Sequence, residues 1–276
     1  MTALQQEVIE LISKNYSVSE ISKILNRNQS SISSIIKRFN IVDYKKLNVN
    51  TCNNTYFDKI DNEFKAYYLG FFIADGYLHT KSNRFGVSIQ EQDNIILEYM
   101  KKDICPDSII TTKNRTTKVI TRKNQSTLRW SSEHMKNTFQ NVYNINPNKT
   151  YDFDFEFPFE KIPENLIRHF IRGFIDGDGC FAKIKHSISI TLIGTSNTFL
   201  KQIAKYITGI TDGVNEVIRE INGKTINYYT LNFNFERTNK PDKILKIYDY
   251  LYDDSELFLI RKRNKMEEYL KYRGKL

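Results

Sequence analysis

The chain has 276 residues, 40% apolar and 26% charged, with 41 basic against 32 acidic side chains for a formal charge of +9. This composition excludes a disordered or fibrous chain, and the length allows one or two domains. No apolar run reaches the ~18 residues of a membrane-spanning helix, the N-terminus lacks a secretory pattern, and Cys52, Cys105 and Cys180 form neither a disulfide framework nor a thiolate metal site. The expected location is therefore cytoplasmic and nucleoid-associated, or that of a phage- or organelle-encoded protein, and not secreted. The basic excess points to a polyanionic partner, nucleic acid ahead of membrane.

Residues 4 to 39 carry a helical period. Leu4, Val8, Leu11 and Ile12 share one face. A second helix starts at Ser17-Val18-Ser19, with Ile21, Ile24 and Leu25 inward. After the Asn26-Arg27-Asn28 break, a third has Ile32, Ile35, Ile36 and Phe39 inward. Its outward residues are Gln29, Ser30, Ser31, Ser33, Ser34, Lys37 and Arg38. Short polar groups suit base edges and the terminal cations suit phosphates. Residues 1–45 are thus expected to form a helix-turn-helix DNA-binding domain. The stretch SVSEISKILNRNQSSISSIIKRF resembles the resolvase-like helix-turn-helix family. Residues 46–62 are Asn-rich and without period, and read as a linker.

Further on the chain repeats itself. FKAYYLGFFIADGYL (64–78) aligns with IRHFIRGFIDGDGCF (167–181) at an offset of 103, matching Gly70 to Gly173, Phe71 to Phe174, Asp75 to Asp178 and Gly76 to Gly179. The same offset lays the alternating strand Phe85, Val87, Ile89 on Ile188, Ile190, Leu192. It also lays Asp93 on Ser196, both suited to cap a helix. Strands follow at SIITTK and STLRWS and a helix at EHMKNTFQNVYNI in the first copy. In the second copy they follow at VNEVIREI, NYYTLNFNF (across an Asn222-Gly223 turn) and KILKIYDYLY. The expected fold is α+β: two pseudo-symmetric αββαββα repeats, 63–157 and 158–276, each with a four-stranded antiparallel sheet.

Gly70 and Ala74, like Gly173 and Gly177, are small residues four apart, which lets two helices approach closely. A helical glycine costs ~1 kcal/mol relative to alanine, so close packing is the expected reason for it. Asp75 and Asp178 end these helices, where the helix dipole disfavours a carboxylate. Two such ends side by side call for a cation between them, and hard oxygen ligands suit Mg²⁺.

YLGFFIADG and IRGFIDGDG resemble the two motifs of a single-chain LAGLIDADG homing endonuclease. The resemblance implies a monomeric, site-specific double-strand DNA endonuclease that leaves staggered ends, its two sheets forming a saddle on the duplex. It assigns Asp75 and Asp178 as catalytic metal ligands, for Mg²⁺, with Mn²⁺ or Ca²⁺ able to substitute for binding. Ile73 departs from the motif where Asp176 keeps its acid. Lys149 and Lys262 match the family's basic catalytic residues, and Glu91 and Gln92 are candidates to position water. Strand alternation turns Phe85, Val87, Ile89, Leu128 and Trp130 inward, and Gly86, Ser88, Gln90, Thr127 and Arg129 outward. In the second copy Tyr229, Leu231, Phe233 and Phe235 face inward, and Thr230, Asn232, Asn234 and Glu236 outward. The outward sets would read base edges, while Lys81, Arg84, Lys113, Arg115, Arg122 and Lys123 would meet phosphate. The alternatives are a catalytically silent DNA-binding regulator or an intron maturase on the same scaffold.

Overall fold

Amphipathic sequence near the N-terminus becomes three helices, α1 (Ala3–Ser13), α2 (Val18–Ile24) and α3 (Gln29–Arg38). The computed structural model describes residues 2–14, 16, 18–39, 52–114, 123–149, 152–184, 187–207, 214–221, 224–234 and 241–276. It divides into two units, residues 1–51 and 52–276. In the first, Thr2 opens α1 with a capping box, accepting from the Gln5 amide while Gln5 accepts from the Thr2 amide at 2.8 Å. Val8, Ile12, Val18, Ile21, Ile32 and Ile36 form its core. Two expected core residues lie outside it: Ile24 is 53% exposed and Phe39 37%. Val18, Ile21 and Leu25 already fill the inner stripe of α2, leaving Ile24 ~100° away. Phe39 stands beyond α3 as its C-cap.

The second unit runs α4 (Glu63–Asp75), β1 (Gly76–Leu78), β2 (Arg84–Gln90), α5 (Ile95–Ile104), β3 (Thr111–Lys113), β4 (Gln125–Ser131) and α6 (Glu133–Tyr143). It continues with α7 (Glu164–Asp178), β5 (Cys180–Ile184), β6 (Ser187–Gly194), α8 (Asn197–Tyr206), β7 (Val214–Ile221), β8 (Lys224–Asn234), α9 (Pro241–Tyr252) and α10 (Ile260–Tyr272). The fold is α+β. Its two four-stranded sheets have equivalent orders, β1-β2-β4-β3 and β5-β6-β8-β7, with every pairing antiparallel. The second half adds α10 to the αββαββα plan. Three expectations shift. The strand anticipated from Ser108 begins only at Thr111. Residues 52–62 are not linker, since Tyr56, Phe57 and Ile60 are buried in the main core and the Phe57 carbonyl accepts from Tyr143 Oη at 2.8 Å. Asp93 does not cap a helix; Ser196 does, accepting from the Phe199 amide at 3.1 Å. Arg115, Arg122, the Asn222-Gly223 turn, Phe235 and Glu236 lie outside the described residues.

Helices α4 and α7 are the centre of this unit. α4 buries an unbroken run from Ala66 to Ile73, as a helix enclosed on all sides must. The contact between the two helices is backbone on backbone. A Cβ on Gly70 would stand 2.0 Å from the Phe170 carbonyl oxygen, and one on Gly173 2.1 Å from that of Tyr67. Phe170 is Tyr67 advanced by the same 103 positions, so the repeat written in the sequence is a two-fold relation in space. Farther along, a Cβ on Gly177 would meet the Ala74 methyl at 2.2 Å.

A buried ionic cluster ties the halves at the opposite end of these helices. Glu63, in the first turn of α4 where the dipole favours a carboxylate, accepts from Arg172 Nη2 at 2.5 Å and from the Glu256 and Leu257 amides at 2.9 and 3.1 Å. Arg172, fully buried on α7, donates to the Leu257 and Leu251 carbonyls, both at 2.8 Å. His169 lies beside this pair, Nδ1 3.8 Å from the Glu63 carboxylate.

Two outcomes follow from this packing. Gly173→Ala should destabilise the second unit by more than the ~1–3 kcal/mol usual for overpacking, because the obstructing atom is a helix carbonyl that cannot swing aside. Urea unfolding measures the loss, and a Gly173→Ala protein of parental stability would refute the contact. His169 is pushed down to about 4, first by burial and then by the Arg172 guanidinium. Between pH ~6.5 and ~4 the unfolded chain binds a proton there that the folded chain refuses, so stability falls as pH drops through that window, by on the order of 2–3 kcal/mol. His169→Phe should remove this slope. The raised aspartates described below titrate in the opposite sense, so the difference between the two unfolding curves isolates His169.

Candidate active site

The chain leaves α4 and α7 directly into strands. The residues after the two aspartates, Gly76 and Gly179, have φ of −85° and −69° rather than the left-handed turn of an ordinary glycine cap. They are glycine for space: a Cβ would lie 2.4 Å from the Phe72 ring at Gly76 and 2.3 Å from the Ile175 carbonyl at Gly179. Asp75 and Asp178 thus end two helices pressed together by their glycines, with two negative dipole ends beside two carboxylates.

A lysine answers each end. Lys149 Nζ donates to the carbonyls of Ile73 and Ala74, the latter at 3.1 Å. Lys262 Nζ donates to the carbonyls of Ile175 at 2.9 Å and Asp176 at 2.5 Å, with that of Gly177 at 3.4 Å. Ile73 and Ala74 correspond to Asp176 and Gly177 by the repeat, so each ammonium caps its own half's helix. Burial pushes both lysines down, Lys262 to about 8. Asp75 is pushed up to about 6, first by burial and then by Asp178, against the pull of Lys262 and Lys149. Burial also raises Asp178, against Lys149 and Lys262. Asp178 nevertheless presents open surface to solvent; the surrounding walls lift its carboxyl without sealing it from water.

Each aspartate opens on its own crease. Asp178 lines one of about 260 Å³ with Lys149, Phe174, Ile193 and Tyr228. Asp75 lines one of about 200 Å³ with Gln90, Asp93, Lys123 and Arg261. Each crease therefore draws one wall from the other half. Arg261 grips Asp93 with Nε at 2.9 and 3.0 Å and Nη2 at 2.9 Å. Asp176 is fully buried, and its Oδ2 accepts from Tyr67 Oη at 2.9 Å and the Leu259 amide at 2.8 Å. It thereby anchors the segment that delivers Lys262. Glu91 and Gln92 line neither crease. Glu91 accepts from Asn124 at 2.8 Å and Gln92 donates to Gln90 at 3.0 Å, which places each one contact behind the Asp75 crease that Asn124 and Gln90 line.

The donor set fits a divalent cation. Two carboxylates hold negative charge that their surroundings oppose, and a cation between them relieves it. Among the described residues no group of three or more His, Cys, Asp or Glu could hold a metal. Such a sparse set suits an ion that keeps waters and completes its shell with substrate oxygens, as Mg²⁺ does.

Of the residues expected at nucleic acid, Lys81, Arg84, Gln90, Lys113 and Arg129 are exposed. Arg129 is tethered through Nε to Tyr77 Oη at 3.0 Å and through Nη1 to Thr111 Oγ1 at 3.1 Å. Asn232 is half-buried and donates to Thr230 at 3.2 Å; Asn234 lies on β8 opposite Ser189. Two outward positions prove covered: Gly86 lies beneath the Tyr77 ring, and Thr127 is buried against Ser88 at 2.9 Å. In the N-terminal unit Gln29, Ser30, Ser31, Ser34, Lys37 and Arg38 are exposed and Ser33 half-buried.

Residues 165–246 match the family model for the LAGLIDADG-like domain. The match falls within the second half; the first is joined to it by the repeat and the two-fold packing. No curated protein matches the chain. Among solved structures, I-SmaMI bound to uncleaved DNA target in the presence of calcium ions is 11% identical over 78% of this chain and 93% of that one, with a TM-score of 0.48. The homing endonuclease I-WcaI bound to its DNA recognition sequence is 12% identical over 80% and 96%, TM-score 0.47. The N-terminal LAGLIDADG domain of DUF199/WhiA is 16% identical over 71% and 83%, TM-score 0.41.

Asp176→Ala should orphan the Tyr67 hydroxyl and the Leu259 amide, at about 1–3 kcal/mol for each buried group left unpaired. Hydrogen exchange at the Leu259 amide should accelerate before global unfolding. Unchanged protection there would show that Asp176 does not anchor this segment.

Proposed function

We propose that the chain is a LAGLIDADG endonuclease that cuts both strands of a specific duplex DNA site as a monomer, with a divalent metal, Mg²⁺ by its chemistry. One observation carries the reading: an aspartate ends each central helix at the same position of the repeat, each opens on its own crease, and the backbone contact at Gly70 and Gly173 holds the two helices that carry them together. An arrangement that sets two carboxylates and two helix dipoles against one another is unfavourable for folding alone. It is favourable for holding a cation beside a phosphodiester.

The bound metal would lower the pKa of a water and stabilise the leaving oxygen. Asp75 and Asp178 hold it. Lys149 and Lys262 bring positive charge beside each carboxylate, locked by helix carbonyls, where charge develops on the phosphoryl group. The creases admit one scissile phosphate each, so one chain supplies both cuts. Arg84, Arg129, Lys81 and Lys113 meet the backbone and base edges of the duplex. The N-terminal unit adds affinity as a helix-turn-helix, Gln29, Ser30, Ser31 and Ser33 toward bases and Lys37 and Arg38 toward phosphates.

The test is nicking of supercoiled plasmid carrying the target with Mg²⁺, beside a binding assay in Ca²⁺. Asp75→Asn and Asp178→Asn should each abolish cleavage of both strands, because carboxylates acting as a unit are non-additive. Binding should persist or tighten, each variant removing a negative charge near phosphate. Mutants that cleave normally would overturn the assignment. Tight duplex binding by the parent without cleavage would instead indicate a regulator, and preference for an intron RNA a maturase.

A further inference from the structure

The repeat permits a position-by-position comparison of the two outward sheet faces. In the first sheet β2 pairs with β4 through Gly86–Arg129, Ser88–Thr127 and Gln90–Gln125. In the second, β6 pairs with β8 through Ser189–Asn234, Thr191–Asn232 and Ile193–Thr230. The offset of 103 equates the β2 positions with those of β6, and the strand register equates their partners on β4 and β8 in the same order. At the position that lines an aspartate crease in both halves, the glutamine pair Gln90–Gln125 becomes Ile193–Thr230. Gln90 lines the crease of Asp75 and Ile193 that of Asp178.

Ile193 is 47% exposed. A single exposed isoleucine is ordinary, but this one is not single. Tyr228 lines the same crease, and the register sets Val217 opposite Tyr228. Arg84, Lys113 and Arg129 lie on the outward face of the first sheet. Among the described side chains of the second, Thr191, Ile193, Asn215, Val217, Tyr228, Thr230 and Asn232 carry no charge.

We infer that Ile193, with the Thr230 methyl beside it, reads a thymine methyl group in one half of the target, where the other half is read through hydrogen bonds by Gln90 and Gln125. In the major groove thymine alone presents a methyl, while a glutamine amide suits the paired donor and acceptor of adenine. The target is accordingly not a palindrome at these positions, although the protein fold is two-fold. This inference rests on the duplex-binding reading above.

The experiment uses the full chain in Ca²⁺ and begins with selection of bound duplexes from a random library. Each thymine of the selected site is then replaced singly by deoxyuridine, which removes only the methyl group. Affinity should fall about three- to tenfold at one position in one half-site, with no such position in the half facing Gln90. Ile193→Ser should abolish the methyl effect at that position, and Ile193→Gln should shift the selected base there toward adenine. Uniform tolerance of deoxyuridine, or a methyl effect that survives Ile193→Ser, would overturn the inference while leaving specific binding intact. Failure of any duplex to be enriched would overturn the duplex-binding reading and this inference with it.

Discussion

The second unit depends on the contact of two helix backbones at Gly70 and Gly173. No side chain separates them there, and each glycine faces the other helix's carbonyl. Helices usually pack 8–10 Å apart on interdigitated side chains; removing those side chains shortens the distance and fixes the register along the axes. Once the register is fixed, the C-terminal ends must arrive together, and Asp75 and Asp178 with them. The sheets hang from those ends by strands that start one residue later.

Such a junction concentrates negative charge, and the surrounding structure reads as a response to it. Lys149 and Lys262 cap the helix-end carbonyls, and Arg261 pairs with Asp93 in the Asp75 crease. At the far end the polarity is reversed: Glu63 sits at the positive end of α4, and the fully buried Arg172 satisfies it. Leaving either partner of that pair alone in the interior is strongly unfavourable. The cluster therefore constrains the 251–257 segment, and through it the approach to α10.

The repeat, the alternating strands and the helix-terminal aspartates were legible in the sequence because each follows a short period or a fixed offset. The ion pair Asp93–Arg261 and the cluster of Glu63, Arg172 and Leu257 were not, since their partners stand far apart in the chain and no local pattern links them. Asp176 appeared only as a motif position, and its bond to the Leu259 amide gives it a structural task. Tyr56 and Phe57 sat in a polar, Asn-rich stretch whose average masked two aromatic anchors. Ile24 and Phe39 were misplaced for a simpler reason: an apolar residue one position off the stripe, or one past a helix end, looks the same in a list of hydrophobics.

Each crease borrows a wall from the opposite half: Lys149 stands with Asp178, and Arg261 with Asp75. A ribosome that has released only the first repeat has made Asp75 and Lys149, but neither the α7 glycine that aligns them nor the arginine that completes the pocket. The last wall of the Asp75 crease is supplied by α10, through Arg261. Assembly of the Asp75 crease therefore waits until both repeats and α10 have been made, so a fragment that stops before α10 lacks the arginine that grips Asp93.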